Sequence, residues 1–148
     1  MADAHGHGTI LVADTTTSFA ASTTIGLITH IGGPNETADS IETTDFDSEA
    51  SEFDPGLKDP GEASIELKYA TANASAVRAI EEHSDSTSDP LYFRIMFNDN
   101  GSTATTGRST WASKGVVTSL GHAIPNDGIV TQTMNIKFSG PSTASYDA

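Results

Sequence analysis

Two groups of residues in this sequence have the types and spacing to do chemistry. Asp45, Asp47, Glu49 and Glu52 crowd one short stretch, and four carboxylates so placed could form the donor set of a calcium loop. An EF-hand loop needs Gly at its sixth position and a carboxylate at its twelfth. Counted from Asp45, those positions hold Ala50 and Gly56, so the stretch reads as a solvated acidic loop. His5 and His7 could offer two imidazoles to a metal, but His30, His83 and His122 are scattered and supply no third ligand nearby. Serines are plentiful, yet no G-x-S-x-G elbow occurs, and nothing sets a base and its orienting group beside a particular hydroxyl. Carboxylate pairs of the glycosidase kind are defined in space rather than in sequence. Nothing singles out such a pair here, and at 7% aromatic content the rings that line sugar grooves are few. With no Cys there is no thiol nucleophile, thiolate metal site or disulfide. The expectation is a protein with no catalytic residues, no metal and no cofactor.

The charge balance narrows the partners. Seven basic residues face 20 acidic ones, a formal net charge of −13. Such a chain repels phosphate, which excludes nucleic-acid binding by a basic patch and disfavours an anionic membrane surface. No apolar run reaches membrane-spanning length, and residues 1–8 lack the basic-then-apolar pattern of a secretory signal. A length of 148 residues suits one domain. Hydrophobic content of 36% is low enough to imply exposed loops or arms. The sequons at Asn35, Asn73 and Asn100 are what chance gives in a chain rich in Ser and Thr, and the single Trp, Trp111, reads as core or interface.

The elements that would position these residues are mostly strands. Residues 1–18 read as an N-terminal arm with one short strand at TILV (9–12). TTIGLITHI (23–31) and SIETTDF (40–46) alternate and suggest an antiparallel pair with one wet face. An acidic loop over about 47–61 then passes Pro55-Gly56 and Pro60-Gly61. ASIELKY (63–69) alternates most clearly, with Ile65, Leu67 and Tyr69 opposite Ser64, Glu66 and Lys68. Residues 73–84 are the one credible helix, capped by Asn73, with Ala76, Val77, Ala79 and Ile80 as a thin apolar stripe. LYFRIMF (91–97) is apolar on both parities except for Arg94, which predicts cover on both faces. TWASKGVVTSL (110–120) follows, with Gly115 a candidate bulge, then PNDG at 125–128 and IVTQTMNIKFS (129–139). Gly140-Pro141 closes the last strand, leaving 142–148 as a C-terminal tail. The predicted fold class is mainly β: an antiparallel sandwich or barrel with one flanking α-helix and a long acidic loop.

In this order, ITHIGGP (28–34), SIETTDFDS (40–48), FDPGLKDPGEASIEL (53–67), the helix, FRIMF (93–97), TWASKGVVTSL and IVTQTMNIKFSGP resemble the tail tube, or major tail, proteins of long-tailed double-stranded DNA viruses. The resemblance covers about 19–141 and implies one tail-tube β domain there. It further implies hexameric rings that stack helically into a hollow tube, with strands of neighbours joined into a closed sheet around a bore. The loop before the Pro-Gly turn contacts the adjacent ring in that family. By position this stacking role falls to Asp47, Glu49, Glu52, Phe53, Asp54, Pro55, Leu57, Lys58 and Asp59, with Phe53 and Leu57 as apolar anchors and Lys58 seeking a carboxylate. Implied partners are the chain itself and the tape-measure, tail-terminator and tail-tip proteins of the same virus. DNA would pass through without specific binding, and the subunit would be assembled in the host cytoplasm into the virion tail. Glu42, Glu66 and Asp127 are candidate acids facing the bore. Two other readings stand beside this one: a tube protein of a contractile injection or secretion system, and a β-sandwich module for glycan or cell-surface binding.

Overall fold

The computed structural model describes residues 5–16, 18–19, 23–71, 73, 77–78, 80, 82, 91–98 and 108–145. Nine strands follow in chain order: β1 (His5–Asp14), β2 (Thr23–Ile25), β3 (Ile28–Gly32), β4 (Thr37–Glu42), β5 (Phe53–Asp59), β6 (Glu62–Lys68), β7 (Leu91–Asn98), β8 (Thr110–Ala123) and β9 (Thr131–Ser145). Seven form one antiparallel sheet in the order β2-β1-β7-β8-β9-β6-β3, while β4 and β5 form a separate two-stranded sheet. β2 and β3 lie at opposite ends of the large sheet, yet only Gly26 and Leu27 separate them in sequence. Three peptide steps span at most about 11 Å, so the sheet must roll until its two ends nearly meet. Leu27 takes a left-handed φ of 55° at this corner. The Gly26 amide there donates to Asn73 Oδ1 at 3.0 Å.

The rolled sheet encloses the core. Alternate residues of the long strands point inward: Ala63, Ile65 and Leu67 on β6, Phe93 and Ile95 on β7, Met134, Ile136 and Phe138 on β9. Trp111 packs edge-on to Phe138 with centroids 4.9 Å apart, and Phe93 meets the same ring at 6.2 Å. Val77 and Ile80, helical positions within 71–82, close the core from one side. Gly115 sits where β8 crosses this packing. A Cβ there would come within 3.0 Å of Lys137 O, Ile136 Cγ2 and Phe138 Cδ1.

Several expectations change. The N-terminal arm contains β1, which pairs with both β2 and β7. The short strand expected at TILV is the second half of β1, and the sequence hid the first half because Gly6, Gly8 and two His interrupt any period-two pattern. The 23–31 strand is cut at Gly26-Leu27, because its halves belong to opposite ends of the sheet. The expected pair of 23–31 with 40–46 does not form: β3 pairs with β6, and β4 with β5. Half of the acidic loop is therefore strand. Asn73 is inside the helical segment, with Thr71 already helical, so its side chain serves the Gly26 corner instead of capping. Gly115 keeps register, and the irregularities flank it at 112–114 and 117–119. Gly140-Pro141 is no stop either, because β9 bulges there and runs on to pair Ser145 with Thr110. His83 and the connection at 99–107 lie outside the described residues. Cover on the second face of β7 is partial: Met96 is buried, while Tyr92 and Arg94 stay half-exposed.

Phe93 has no exposed surface and joins the aromatic cluster. Phe93→Ala is expected to cost about 3–5 kcal/mol, read as a lower midpoint in chemical denaturation with an unchanged m-value.

Candidate functional site

The β4–β5 hairpin stands off the body. All six residues of β4 are exposed, as is all of β5 except Gly56. Register pairs Glu42 with Phe53 and Ser40 with Pro55 on one face, and Ile41 with Asp54 on the other. At the tip, Asp45 folds the chain back: its Oδ1 accepts from the Asp47 amide at 3.0 Å and the Ser48 hydroxyl at 2.9 Å. This local closure, an Asx turn, leaves Phe46 with a relative exposure of 110%. Ile41, Phe53 and Leu57 are also exposed, Leu57 at 90%. Residues 36–59 hold nine carboxylates against Lys58, a balance of −8 out of the chain's −13. All nine residues of the predicted stacking loop lie on this hairpin or its tip, and all are exposed.

The base of the hairpin is clamped. Glu36 Oε1 accepts from Trp111 Nε1 at 3.0 Å and also from the Ser142 hydroxyl. One carboxylate thus ties the start of the hairpin to β8 and β9. Gly61 has a φ of 81°, and a Cβ on it would run into the Asn35 carbonyl. Its amide donates to Asp59 Oδ1 at 2.8 Å, and its carbonyl accepts from Phe138 N at 3.0 Å. Sequence reasoning missed Glu36, because nothing in NET at 35–37 distinguishes it from the other acids. The Ser142 hydroxyl and the Trp111 indole, helped by Lys58, hold its carboxyl below the ordinary value of 4.5 against a smaller opposing effect of burial.

A second surface lies on the outward face of β3, β6, β9 and the far half of β8. β8 pairs with β7 only up to Gly115, while its pairing with β9 continues to Ala123. Over 118–123 its far edge has no strand partner among the described residues. Among the described residues β3, at the other side of this four-stranded region, is an open edge as well. The outward face is mostly small and polar: Ser64, Thr131, Thr133, Asn135 and Ser119, with Asn135 Nδ2 donating to Ser119 Oγ at 2.6 Å. Its charges balance among the described residues. Lys137 reaches Glu62 at 3.3 Å, and Glu66 shares the β6 face with Lys68.

Of the candidate bore-facing acids, only Glu66 lies on this face, opposite His30 and Thr133. Glu42 is on the hairpin beside Phe53, and Asp127 is in the β8–β9 turn. The three are not brought together. Near that turn a third feature appears: Leu27, Tyr69, Ile124 and Ile129 are all exposed. The Lys68 amide donates to Leu27 O at 3.0 Å, and the Tyr69 amide to Val130 O at 2.9 Å. This apolar rim lies at the Lys68 end of β6, and the hairpin leaves from the Glu62 end. Seven residues of β6 separate them, about 20 Å.

The family model for the phage tail tube of the lambda-like type matches residues 4–147. No curated protein matches the sequence. Among solved structures, the chain is similar to a subunit from the tail of an empty gene transfer agent particle refined with C6 symmetry (17% identity, 97% of this chain and 98% of that one, TM-score 0.64). It is also similar to a subunit of the sheath–tube complex of an extracellular contractile injection system, PVC (14%, 97% and 92%, 0.68). A third similar structure is the SPP1 tail tube (11%, 98% and 81%, 0.66).

Because Glu36 titrates lower folded than unfolded, its contribution to stability is full above about 4.5 and disappears as pH falls through the lowered value. Glu36→Gln should therefore be less stable than the parent at neutral pH. The gap should close in acid, as followed by denaturation across the acidic range.

Proposed function

The chain belongs to the lambda-like phage tail tube family and is a structural tube component; we propose that six copies close into a ring whose inner wall is the four-stranded face of β3, β6, β9 and β8. One observation carries this reading: both sides of that face end in open edges, β3 and residues 118–123 of β8. Strand direction alternates across the four, so rotation about a ring axis sets β3 antiparallel to β8 of the next copy. An unpaired edge invites partners of any kind, whereas ring closure supplies one defined partner to each. Six copies give 24 strands, a barrel roughly 35–50 Å across between backbones, depending on tilt, and wide enough for duplex DNA. Sixfold symmetry is stated for the gene transfer agent tail.

The rings then stack head to tail. The hairpin leaves one end of the subunit, and the apolar rim of Leu27, Tyr69, Ile124 and Ile129 crowns the other. A heterologous contact of this kind does not close and therefore builds a filament. Phe53 and Leu57 on the hairpin's shaft meet the rim of the neighbouring ring, each worth about 1.5–3 kcal/mol if fully buried. The stacking role predicted for Asp47 through Asp59 is kept, with a paired hairpin in place of a loose loop.

The bore is passive and asks for no catalysis. It does not bind DNA because its cations are matched: Lys137 by Glu62, and Lys68 by Glu66 on the same face. Glu66 is the bore-facing acid of the three candidates. Assembly takes place in the host cytoplasm, with tape-measure, terminator and tip proteins setting length and ends. The structures similar to this chain include a sheath–tube complex and a tube-terminating cap, so a tube inside a contractile system is the second reading. Co-assembly with a sheath protein would select it.

Two outcomes check this reading. Replacing residues 38–58 with a short Gly-Ser connection should leave a cooperatively folding subunit that forms rings but not tubes in electron micrographs. Normal tubes would end the stacking role. Glu62→Gln with Glu66→Gln should leave Lys68 and Lys137 unmatched, so that assembled tubes retain DNA at low salt and release it as salt rises.

A further inference from the structure

The outward face of the other half of the sheet carries a groove of about 540 Å³ with Phe19, Tyr92, Arg94, Lys114, Pro141 and Thr143 in its lining. We propose that this groove receives the tip of the β4–β5 hairpin, centred on Phe46 and Asp47, from a second copy in the neighbouring ring. The inference rests on the stacking role given above and names its receptor.

Three observations carry it. First, the groove holds cations that have no carboxylate partner among the described residues. The described ion pairs are Arg78 with Glu82 and Lys137 with Glu62. Arg94 and Lys114 join neither, in a chain with 20 acidic residues. The register sets Arg94 opposite Ala112 and Tyr92 opposite Lys114, so both cations share one face. Asp14, opposite Tyr92 on β1, has Oδ1 engaged by the Thr15 and Thr16 amides at 2.6 and 3.3 Å.

Second, the cations are held in place. The Arg94 guanidinium lies 4.5 Å from the Phe19 ring centroid. Its Nε is shut from solvent without a hydrogen-bond partner. The Lys114 stem lies along Gly140, where a Cβ would approach Lys114 Cε at 2.9 Å. Third, the hairpin complements the groove in kind and in reach. Its tip combines a fully exposed aromatic ring with carboxylates, and the groove combines rings with cations. β4 ends at Glu42, and with residues 43–46 beyond it the hairpin reaches at most about 33 Å from Glu36, against about 20 Å for β6. A tip that passes the neighbour's rim therefore lies alongside its body, where the groove is. Opposite charges would steer the approach, and the ring would then be buried.

The test uses the full chain under tube-forming conditions. Lys114→Glu is expected to raise the critical concentration for tube growth roughly tenfold or more, with Asp47→Lys on the same chain restoring growth. The absence of native Cys allows a second measurement that does not depend on charge. Phe46→Cys combined with Thr143→Cys should give oxidised, disulfide-linked ladders in assembled tubes, and neither single variant should. Circular dichroism and gel filtration establish that each variant folds. If Lys114→Glu grows tubes normally and the paired cysteines give no ladder, while hairpin replacement still abolishes stacking, the groove is not the receptor and the stacking role survives. If hairpin replacement leaves tubes intact, both fall.

Discussion

The constraint on which this structure turns is that backbone N–H and C=O groups at the rim of a sheet must find partners. Rolling a seven-stranded sheet until β2 and β3 nearly meet solves most of that problem inside one chain. The solution is incomplete because β8 is longer than the segment β7 covers. Among the described residues its far half continues beside β9 with one side open, and β3 is open at the other side of the same face. The two open edges are the consequence of strand lengths, and strand lengths are a property of sequence. In a solitary subunit these edges are a hazard for aggregation. In the proposed ring they would be bonds, their antiparallel sense set by the strand directions within one chain.

The same economy governs charge. The total of −13 suggests a bore that repels DNA by an excess of negative charge, but its distribution points elsewhere. Eight units of the excess sit on residues 36–59, outside the four-stranded face, and that face is balanced by near neighbours. A wall of Thr, Ser and Asn with each Lys beside a Glu presents little to which a phosphate could attach, and little that would repel it strongly over distance. The acidic hairpins keep separate subunits apart, because like charges oppose their approach until salt or a cationic receptor offsets them.

How far the sequence discloses this depends on whether the deciding contact is local. Period-two patterning in ASIELKY and in residues 129–138 found β6 and β9 because each strand has one buried face, as Ile65, Leu67, Met134 and Ile136 show. The double-sided apolarity of 91–97 found β7. TILV at 9–12 marked a short strand in the arm, and Leu11 and Val12 are buried there, but the full length of β1 was lost because its first half carries Gly and His where a pattern would need apolar residues. The pairing of β4 with β5 was lost because neither strand has a buried face, so periodicity has nothing to report. The stretch proposed for stacking was picked out only as a family likeness at the Pro-Gly turn, not by any period in its residues. The clamp on Glu36 was not, since Trp111 and Ser142 are remote in sequence and converge only after the sheet rolls.

That clamp bears on why an exposed hairpin keeps a direction at all. Two strands alone are marginal in water, and β4–β5 has no core of its own. What it has is a fixed root. Glu36 binds groups on two different strands of the body, Gly61 permits a turn that no side chain would, and Phe138, a core residue, donates its amide to the Gly61 carbonyl. The root therefore inherits the rigidity of the aromatic cluster beneath it, Trp111 and Phe138 being members of both. Beyond the root the hairpin can flex, and the entropy lost when it docks is paid per subunit. Pre-orienting the root would reduce that loss without burying the tip, leaving Phe46 exposed and open to the proposed contact with a neighbouring ring.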